Sequence, residues 1–287
     1  MRITSLVENT SCKGIPVEHG LSFYLEMDNG KRILFDMGQD KLFAENAERL
    51  GVSIVDVDLA VISHGHYDHG GGLKSFLEIN QKSKVYIHKD AFQPHYSLRE
   101  SGLSYIGLDK SLLENERIEL CNYSAQGIKP EKGISSNKDY IALSSDITLF
   151  ANVHGSCCNP IGNKLLYGPK KGENDSFDHE QNLIVFEGEK SFLFAGCAHC
   201  GIVNIIKRAT EIIGHSPTFV FAGMHLVKSG LSDTEENIFI SHLGDLLKNY
   251  NSKYYTMHCT GSEQFEKLKK NLGEQIEYFA CGDNITL

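Results

Sequence analysis

Three histidines and an aspartate fall within six residues in Ser63-His64-Gly65-His66-Tyr67-Asp68-His69, directly after Leu59-Ala60-Val61-Ile62. The apolar run reads as a buried strand, so the imidazoles begin where that strand stops. In extended backbone residues i and i+2 point the same way, and His64 and His66 can grip one ion together. Asp68 and His69 follow at the turn and face elsewhere, where they can serve a second ion or close the first. Neutral imidazole suits zinc, iron and related borderline metals, and a carboxylate adds charge and hard-oxygen character. The position at a strand end and the exit through Gly70-Gly71-Gly72 favour a metal site over a solvated histidine-rich loop.

Four strands run into a histidine: Ile62 into His64, Phe194 into His199, Phe221 into His225, and Tyr255 into His258. In open sheets flanked by helices, ligands collect beyond the carboxyl ends of strands, so these four places would ring one cleft. The supporting elements can be read around them. Leu21 to Met27 and Arg32 to Phe35 flank the turn Asp28-Asn29-Gly30, and Asn182 to Phe186 pairs with Ser191 to Ala195 as a second hairpin. Helices are expected over Lys41 to Leu50, Gly72 to Ile79, and Ile202 to Ile213, the last ended by Gly214. Further strands are expected at Lys84 to Ile87, Thr218 to Phe221 and Lys253 to Met257. Ser232-Asp233-Thr234-Glu235 is a capping box for a helix expected to bury Ile238, Leu243 and Leu246. Thr260-Gly261-Ser262-Glu263 opens a last helix carrying Phe265, Leu268 and Leu272. Residues 95–145 are less regular, with a polar helix expected near Leu108 to Glu116, and read as an insertion that shapes the cleft of one domain spanning 1–287.

The 287 residues are 41% hydrophobic and 23% charged, the composition of a globular chain with an ample core. A net charge of −9 argues against a nucleic-acid or anionic-membrane surface, though bound cations could still attract a small anion. No apolar stretch approaches the ~20 residues that span a bilayer. Met1-Arg2-Ile3-Thr4 does not read as a leader, so a cytoplasmic location with reduced thiols is the expectation. Cys197-Ala198-His199-Cys200 has CxxC spacing, but no second CxxC completes a four-cysteine zinc site.

His64-x-His66-x-Asp68-His69 resembles the signature of the metallo-β-lactamase superfamily, and the resemblance extends along the chain. Leu34-Phe35-Asp36-Met37-Gly38 looks like that family's early strand, whose aspartate buttresses the metal loop. Val7-Glu8-Asn9-Thr10, Glu18-His19-Gly20-Leu21-Ser22, Gly196-Cys197-Ala198-His199 and His258-Cys259-Thr260-Gly261 resemble the branch that contains an archaeal dihydropterin–ribofuranosylaminobenzene-phosphate synthase and many metal-dependent hydrolases. The fold this implies is α/β, a four-layer αββα sandwich. The implied ligands are His64 and His66 for a first ion, Asp68 and His69 for a second, and His258. His179 matches the remaining first-ion ligand, with Asp178 and His154 as competitors. Where the family places a metal-bridging aspartate this chain has Cys197. His199 can fill the vacancy, or Cys197 can bind as thiolate, or one site is left weak.

The resemblance thus implies one or two divalent transition metals, zinc first and iron or manganese as alternatives. A metal with open positions brings the pKa of its water toward about 7. Asp68 is placed for proton transfer, and His225 for stabilising developing charge or donating to a leaving group. Asp36 would orient a histidine ligand through its other ring nitrogen. Thr260 and Gly261, at a helix start, would favour an anionic group, with Glu18 and His19 lining the same cleft. The expected function is a metal-dependent hydrolase of a small ester, phosphoester or lactone-like substrate. A transferase like the pterin synthase is the alternative, and a di-iron redox centre or a thiol sensor built on Cys197 and Cys200 are further classes.

Overall fold

The computed structural model describes residues 1–11, 13–123, 136–137, 140–170, 172–227 and 230–287. Among the described residues, seven strands form one sheet in the spatial order Asn284–Thr286, Arg2–Val7, Ser22–Glu26, Arg32–Phe35, Leu59–Ile62, Lys84–His88, Ile118–Cys121. A second sheet runs Ile276–Tyr278, Lys253–Thr256, Phe219–Ala222, Lys190–Ala195, Asn182–Glu187, Ile147–Phe150, Tyr140–Ala142, Ser136–Asn137. In both, antiparallel hairpins give way to parallel strands on the side that carries the histidine motifs.

Alternation explains why the sheets pack face to face. Leu183, Val185, Phe192 and Phe194 point inward, where they meet Phe23, Leu25, Ile33, Phe35 and Val61 of the other sheet. Their neighbours Ile184, Leu193 and Ala195 point outward under Ile202–Ile213, Asp233–Leu247 and Ser262–Leu272. Leu34, Ala60, Ile62, Val85 and Ile87 face Leu42–Leu50 and Leu73–Ile79 on the opposite outer side. Period-two strands that are apolar on both faces must be covered twice, and the result is the four-layer αββα sandwich. Phe194, Phe221 and Tyr255 stack across adjacent parallel strands, with ring centroids 5.2 and 4.6 Å apart.

Register brings the strand ends level. Ala195 pairs with Ala222 and Ala222 with Thr256, so the segments after them leave the sheet side by side. Gln181 ties the two sheets at the same edge: its Nε2 donates to the carbonyls of Ile62 and Tyr86 at 2.8 and 2.9 Å, and Tyr123 donates to its Oε1 at 2.7 Å.

Two expectations are corrected. The capping box at Ser232 and Glu235 forms, but the helix buries Ile240, Leu243 and Leu247, while Ile238 is 66% exposed and Leu246 only partly covered. Gly244 sets this phase, because its bare Cα sits against Asn271 of the next helix. Leu108 to Glu116 is no helix beyond the 3-10 turn Lys110–Leu112, where the Asp109 side chain takes the backbone N–H of Ser111. Such a local bond competes with helix propagation, and no apolar stripe opposes it. Tyr96–Arg99 and Gly102–Tyr105 form a hairpin that pairs with Leu166–Tyr167. Residues 124–135 of the expected insertion lie outside the described residues. No described helix is long and apolar enough to cross a membrane.

Truncating the inner aromatic stack should be costly. Phe194→Ala is expected to lose about 3–5 kcal/mol in urea unfolding, with the denaturant slope unchanged. A loss under about 1 kcal/mol would contradict the packing described.

Candidate metal centre

The buried Asp36 sets the geometry of the first motif. Parallel pairing of Phe35 with Val61 places it beside the end of the Leu59–Ile62 strand. Its Oδ1 accepts the N–H of Ser63 at 2.7 Å, and its Oδ2 accepts the Ser63 hydroxyl at 2.7 Å and His69 Nδ1–H at 2.6 Å. With its proton committed to Asp36, Ser63 Oγ accepts Nδ1–H of His64 at 2.9 Å. Both rings are thereby left with Nε2 as a bare lone pair. His64 Nε2 faces His66 Nδ1 at 3.0 Å, and His69 Nε2 lies 3.3 Å from His258 Nε2.

The opposite sheet supplies the rest. His199 Nδ1 lies 2.9 Å from Asn163 Oδ1, and Asn163 Nδ2 donates back to the His199 carbonyl at 2.8 Å. That reciprocal pair puts the ring proton on Nδ1, so His199 Nε2 is a buried lone pair with no protein partner. Its ring stands 5.0 Å from His64 and 5.1 Å from His66, and Phe177 stacks on it at 4.3 Å. His258 is fixed in the same manner by Asn9, whose Oδ1 takes Nδ1–H at 2.9 Å, while Glu8 takes the His258 N–H at 2.7 Å. Asp68 Oδ2 sits 3.5 Å from His258 Nε2 and 3.2 Å from His19 Nε2. Cys197 lies between the two sets, its Sγ 3.1 Å from His69 Nε2 and grouped with His64 and His199 on one side and His69 and His258 on the other.

Two donor sets result around the shared Cys197: His64 and His199, with His66 Nδ1 3.0 Å from His64 Nε2, and His69 and His258, with Asp68 Oδ2 3.5 Å from His258 Nε2. Their converging lone pairs, including the partnerless Nε2 of His199, fit a divalent transition ion of imidazole and carboxylate preference. Five non-glycine residues of these walls, Asp36, Phe177, Ala198, His225 and His258, adopt positive φ between 45° and 58°. Non-glycine backbone in this sparsely populated region persists only where the surrounding structure holds it.

Other sequence candidates fall differently. His179 leaves the His64 group for a second buried group of possible ligand atoms with His66, His95 and Asp175, its Nδ1 accepting the Gly65 N–H at 2.9 Å and its Nε2 facing Asp175 at 3.3 Å. Asp178 is exposed and bonded to Ser176, and His154 is exposed. The ring of His225 packs 4.4 Å from that of His199, with its buried Nδ1 partnerless. Thr260 is buried, its hydroxyl engaged with Thr256 and Met224 N–H, and the N–H groups of Thr260 and Gly261 donate to Met257 and His258 carbonyls. Neither presents a free donor to the cleft. Glu18 accepts Gln39 N–H at 2.8 Å and braces the Gly38 turn, while exposed His19 reaches the site through Asp68. Missed from sequence were Asn9 and Asn163 as tautomer-setting partners. Glu180 was also missed: it accepts the N–H groups of His199 and Cys200 at 2.7 and 3.0 Å. An adjoining cleft of about 380 Å³, lined by Asn159, Asn163, Lys164, Ser176, Phe177 and His199, can hold a small polar molecule.

Burial, reinforced by neighbouring imidazoles, holds His64, His66 and His199 well below the usual histidine range. His69 moves the other way, because Asp36 and Asp68 outweigh its burial. Asp68 is also buried, yet His69, His19 and His258 keep it well below the usual carboxylate range.

The pH dependence follows with its sign. Five buried histidines, His64, His66, His88, His179 and His199, stay neutral when folded but bind protons when unfolded below about pH 6.5, against His69 with the opposite shift. Metal-free protein should therefore lose stability as pH falls from about 7 to 5. Calorimetric Tm in chelator checks this, and a Tm that rises across the window would contradict it. Asp36→Ala should weaken zinc binding about 10–100-fold, read by competition with a chromogenic chelator.

The metallo-beta-lactamase superfamily model matches residues 15–206. The chain is 31% identical over 272 residues to an uncharacterized protein of Methanocaldococcus jannaschii, covering 93% of this chain and 94% of that one. It is 26% identical over 298 residues to the 7,8-dihydropterin-6-methyl-4-(beta-D-ribofuranosyl)-aminobenzene-5'-phosphate synthase of the same organism, covering 98% and 95%. Among solved structures it resembles a metal-dependent hydrolase of the beta-lactamase superfamily at TM-score 0.77 and 28% identity, covering 100% and 99% of the two chains. Human tRNase Z, short form, shares the fold at TM-score 0.53 and 14% identity, covering 100% and 99%.

Proposed function

Since the chain belongs to the metallo-β-lactamase superfamily, we propose that it is a metal-dependent hydrolase of a small, anionic ester, phosphoester or lactone-like substrate. The observation that carries this reading is the pair of adjacent, buried donor sets whose tautomers are fixed by hydrogen bonds from outside the cleft. Zinc is the first choice of ion for imidazole-rich sets, with iron and manganese as alternatives. Ions held there supply Lewis acidity and a water acidic enough to lose its proton near neutral pH.

The chain's own residues do the remaining work. His64, His66 and His199 would hold one ion, and Asp68, His69 and His258 the other. Cys197, where the family pattern has aspartate, would supply a shared sulfur ligand, deprotonated once an ion is held there. Asp68, with Oδ2 3.2 Å from His19 Nε2, can take a proton and pass it toward the exposed imidazole at the cleft mouth. His225, its ring 4.4 Å from that of His199, can donate to a leaving group. Lys164, on the adjoining cleft, offers a cation to an anionic substituent.

The synthase relative supports a second reading, a transferase that joins a pterin to an aminobenzene ribofuranosyl phosphate. It shares nearly the full chain length, and the donor sets suit either acceptor, water or arene.

Turnover of bis(p-nitrophenyl) phosphate should stop with chelator and return with zinc, manganese or iron. Asp68→Asn should lower kcat by about 10²–10⁴-fold. Inertness of fully metallated protein toward phosphodiesters, esters and lactones would overturn the hydrolase reading. A coupled product of the correct mass from the two synthase substrates would then establish the transferase.

A further inference from the structure

His95, Asp175 and His179 form a buried polar cluster behind His66, and the functions above use none of them. Their exposures are 1, 8 and 2%, and one donor atom from each lies within 4.8 Å of one from His66. Asp175 Oδ2 is the centre. It faces His95 Nδ1 at 2.7 Å and His179 Nε2 at 3.3 Å. Gly65 N–H can only donate, so His179 Nδ1, which accepts it at 2.9 Å, is bare and the His179 proton is on Nε2 toward Asp175. His95 likewise gives Nδ1–H to Asp175, which leaves His95 Nε2 as a lone pair. That nitrogen is buried without a partner, and so is Nε2 of His66.

The two orphan atoms are complementary. With Nδ1 given to an ion shared with His64, the His66 proton would lie on Nε2. A buried N–H without an acceptor is costly, and metal-ligating histidines almost always give that proton to an acceptor. The rings of His66 and His95 stand 5.7 Å apart, edge to face at 71°. Close approach is built into the backbone: a Cβ on Gly65 would come within 2.3 Å of the Ala91 carbonyl and 2.9 Å of His95 Nε2. Only glycine between the two motif histidines lets this segment lie against the loop.

We propose that His95 and Asp175 are positioning residues for the ligand His66: His95 Nε2 accepts the outer N–H of His66, while Asp175 holds His95 and, through His179, the Gly65 backbone. One buried carboxylate thereby fixes both the ring of one ligand and the turn that carries the pair. The inference rests on the reading of His66 as a metal ligand, and the test separates the two.

Zinc affinity is measured by chelator competition on wild type, His66→Ala, His95→Phe, His95→Gln and Asp175→Asn, with zinc content at saturation and metal-free Tm alongside. His95→Phe should weaken binding about 10–100-fold. His95→Gln, which keeps an acceptor toward His66 and a donor toward Asp175, should restore affinity close to wild type, and a purely space-filling role would not show that rescue. Unchanged affinity in His66→Ala would overturn the ligand reading. Loss in His66→Ala with wild-type affinity in His95→Phe would overturn the positioning role alone. Saturated Asp175→Asn holding one zinc fewer would overturn it too, because Asp175 would then be a ligand itself. Should the His95 variants fail to fold, ¹⁵N spectra of wild-type imidazoles decide. The protons of His95 and His179 are expected on Nδ1 and Nε2 respectively, and a His95 proton on Nε2 would overturn the relay.

Discussion

The carboxylate of Asp36 is the fixed point of this molecule. Buried between strand end and metal loop, it is surrounded by three donors: the Ser63 amide, the Ser63 hydroxyl and the His69 ring. A buried carboxylate is tolerable only when so satisfied, and each donor it consumes has a consequence across the cleft. The hydroxyl, committed to Asp36, can only accept from His64, and His69 must turn its proton inward. Two lone pairs, on His64 and His69, therefore point into the cleft. Asn163 and Asn9 repeat the device on the second sheet, for His199 and His258. Preorganisation of this kind lets imidazoles bind metal rather than one another.

Secondary structure delivers these groups, and irregular backbone aims them. The level register of Ala195, Ala222 and Thr256 sets three loops side by side, and Gly223 N–H bonds the Gly196 carbonyl at 2.8 Å to hold two of them together. Glu180, whose carboxylate takes two amides of the His199 loop, and Glu8, which takes the amide of His258, hold the turns in their strained conformations. The strain at Ala198 and His258 is thus opposed by buried, charge-assisted hydrogen bonds.

Much of this was legible in the residues. Strand–histidine junctions repeat four times because parallel strands end at one edge, and that periodicity is local. The double apolar faces of Leu183 to Phe186 and Phe192 to Ala195 likewise announce covered sheets. What was not legible is long-range orientation. His179 and His199 are equally plausible ligands on spacing, and only the Gly65 and Asn163 contacts separate them. Thr260 and Gly261 resemble an anion-binding helix start, yet their amides close a 3-10 turn at His258–Thr260 first. Ile238 matched the helical period but lost its place to Gly244, whose fit against Asn271 rotates the helix. The same limit hid Asn9 and Asn163, whose role depends on partners 249 and 36 residues away.

The central claim is that Nε2 of His64, Nδ1 of His66 and Nε2 of His199 converge on one cation while Asp68, His69 and His258 surround another. Anomalous diffraction at the metal edge, from crystals of protein purified without added metal, addresses it directly. The account predicts a peak about 2.0–2.3 Å from the three nitrogens of the first set, and a second beside His69 and His258 in metal-replete crystals. Metal-replete crystals with no peak in the cleft, or with His179 replacing His199 as ligand, would contradict it.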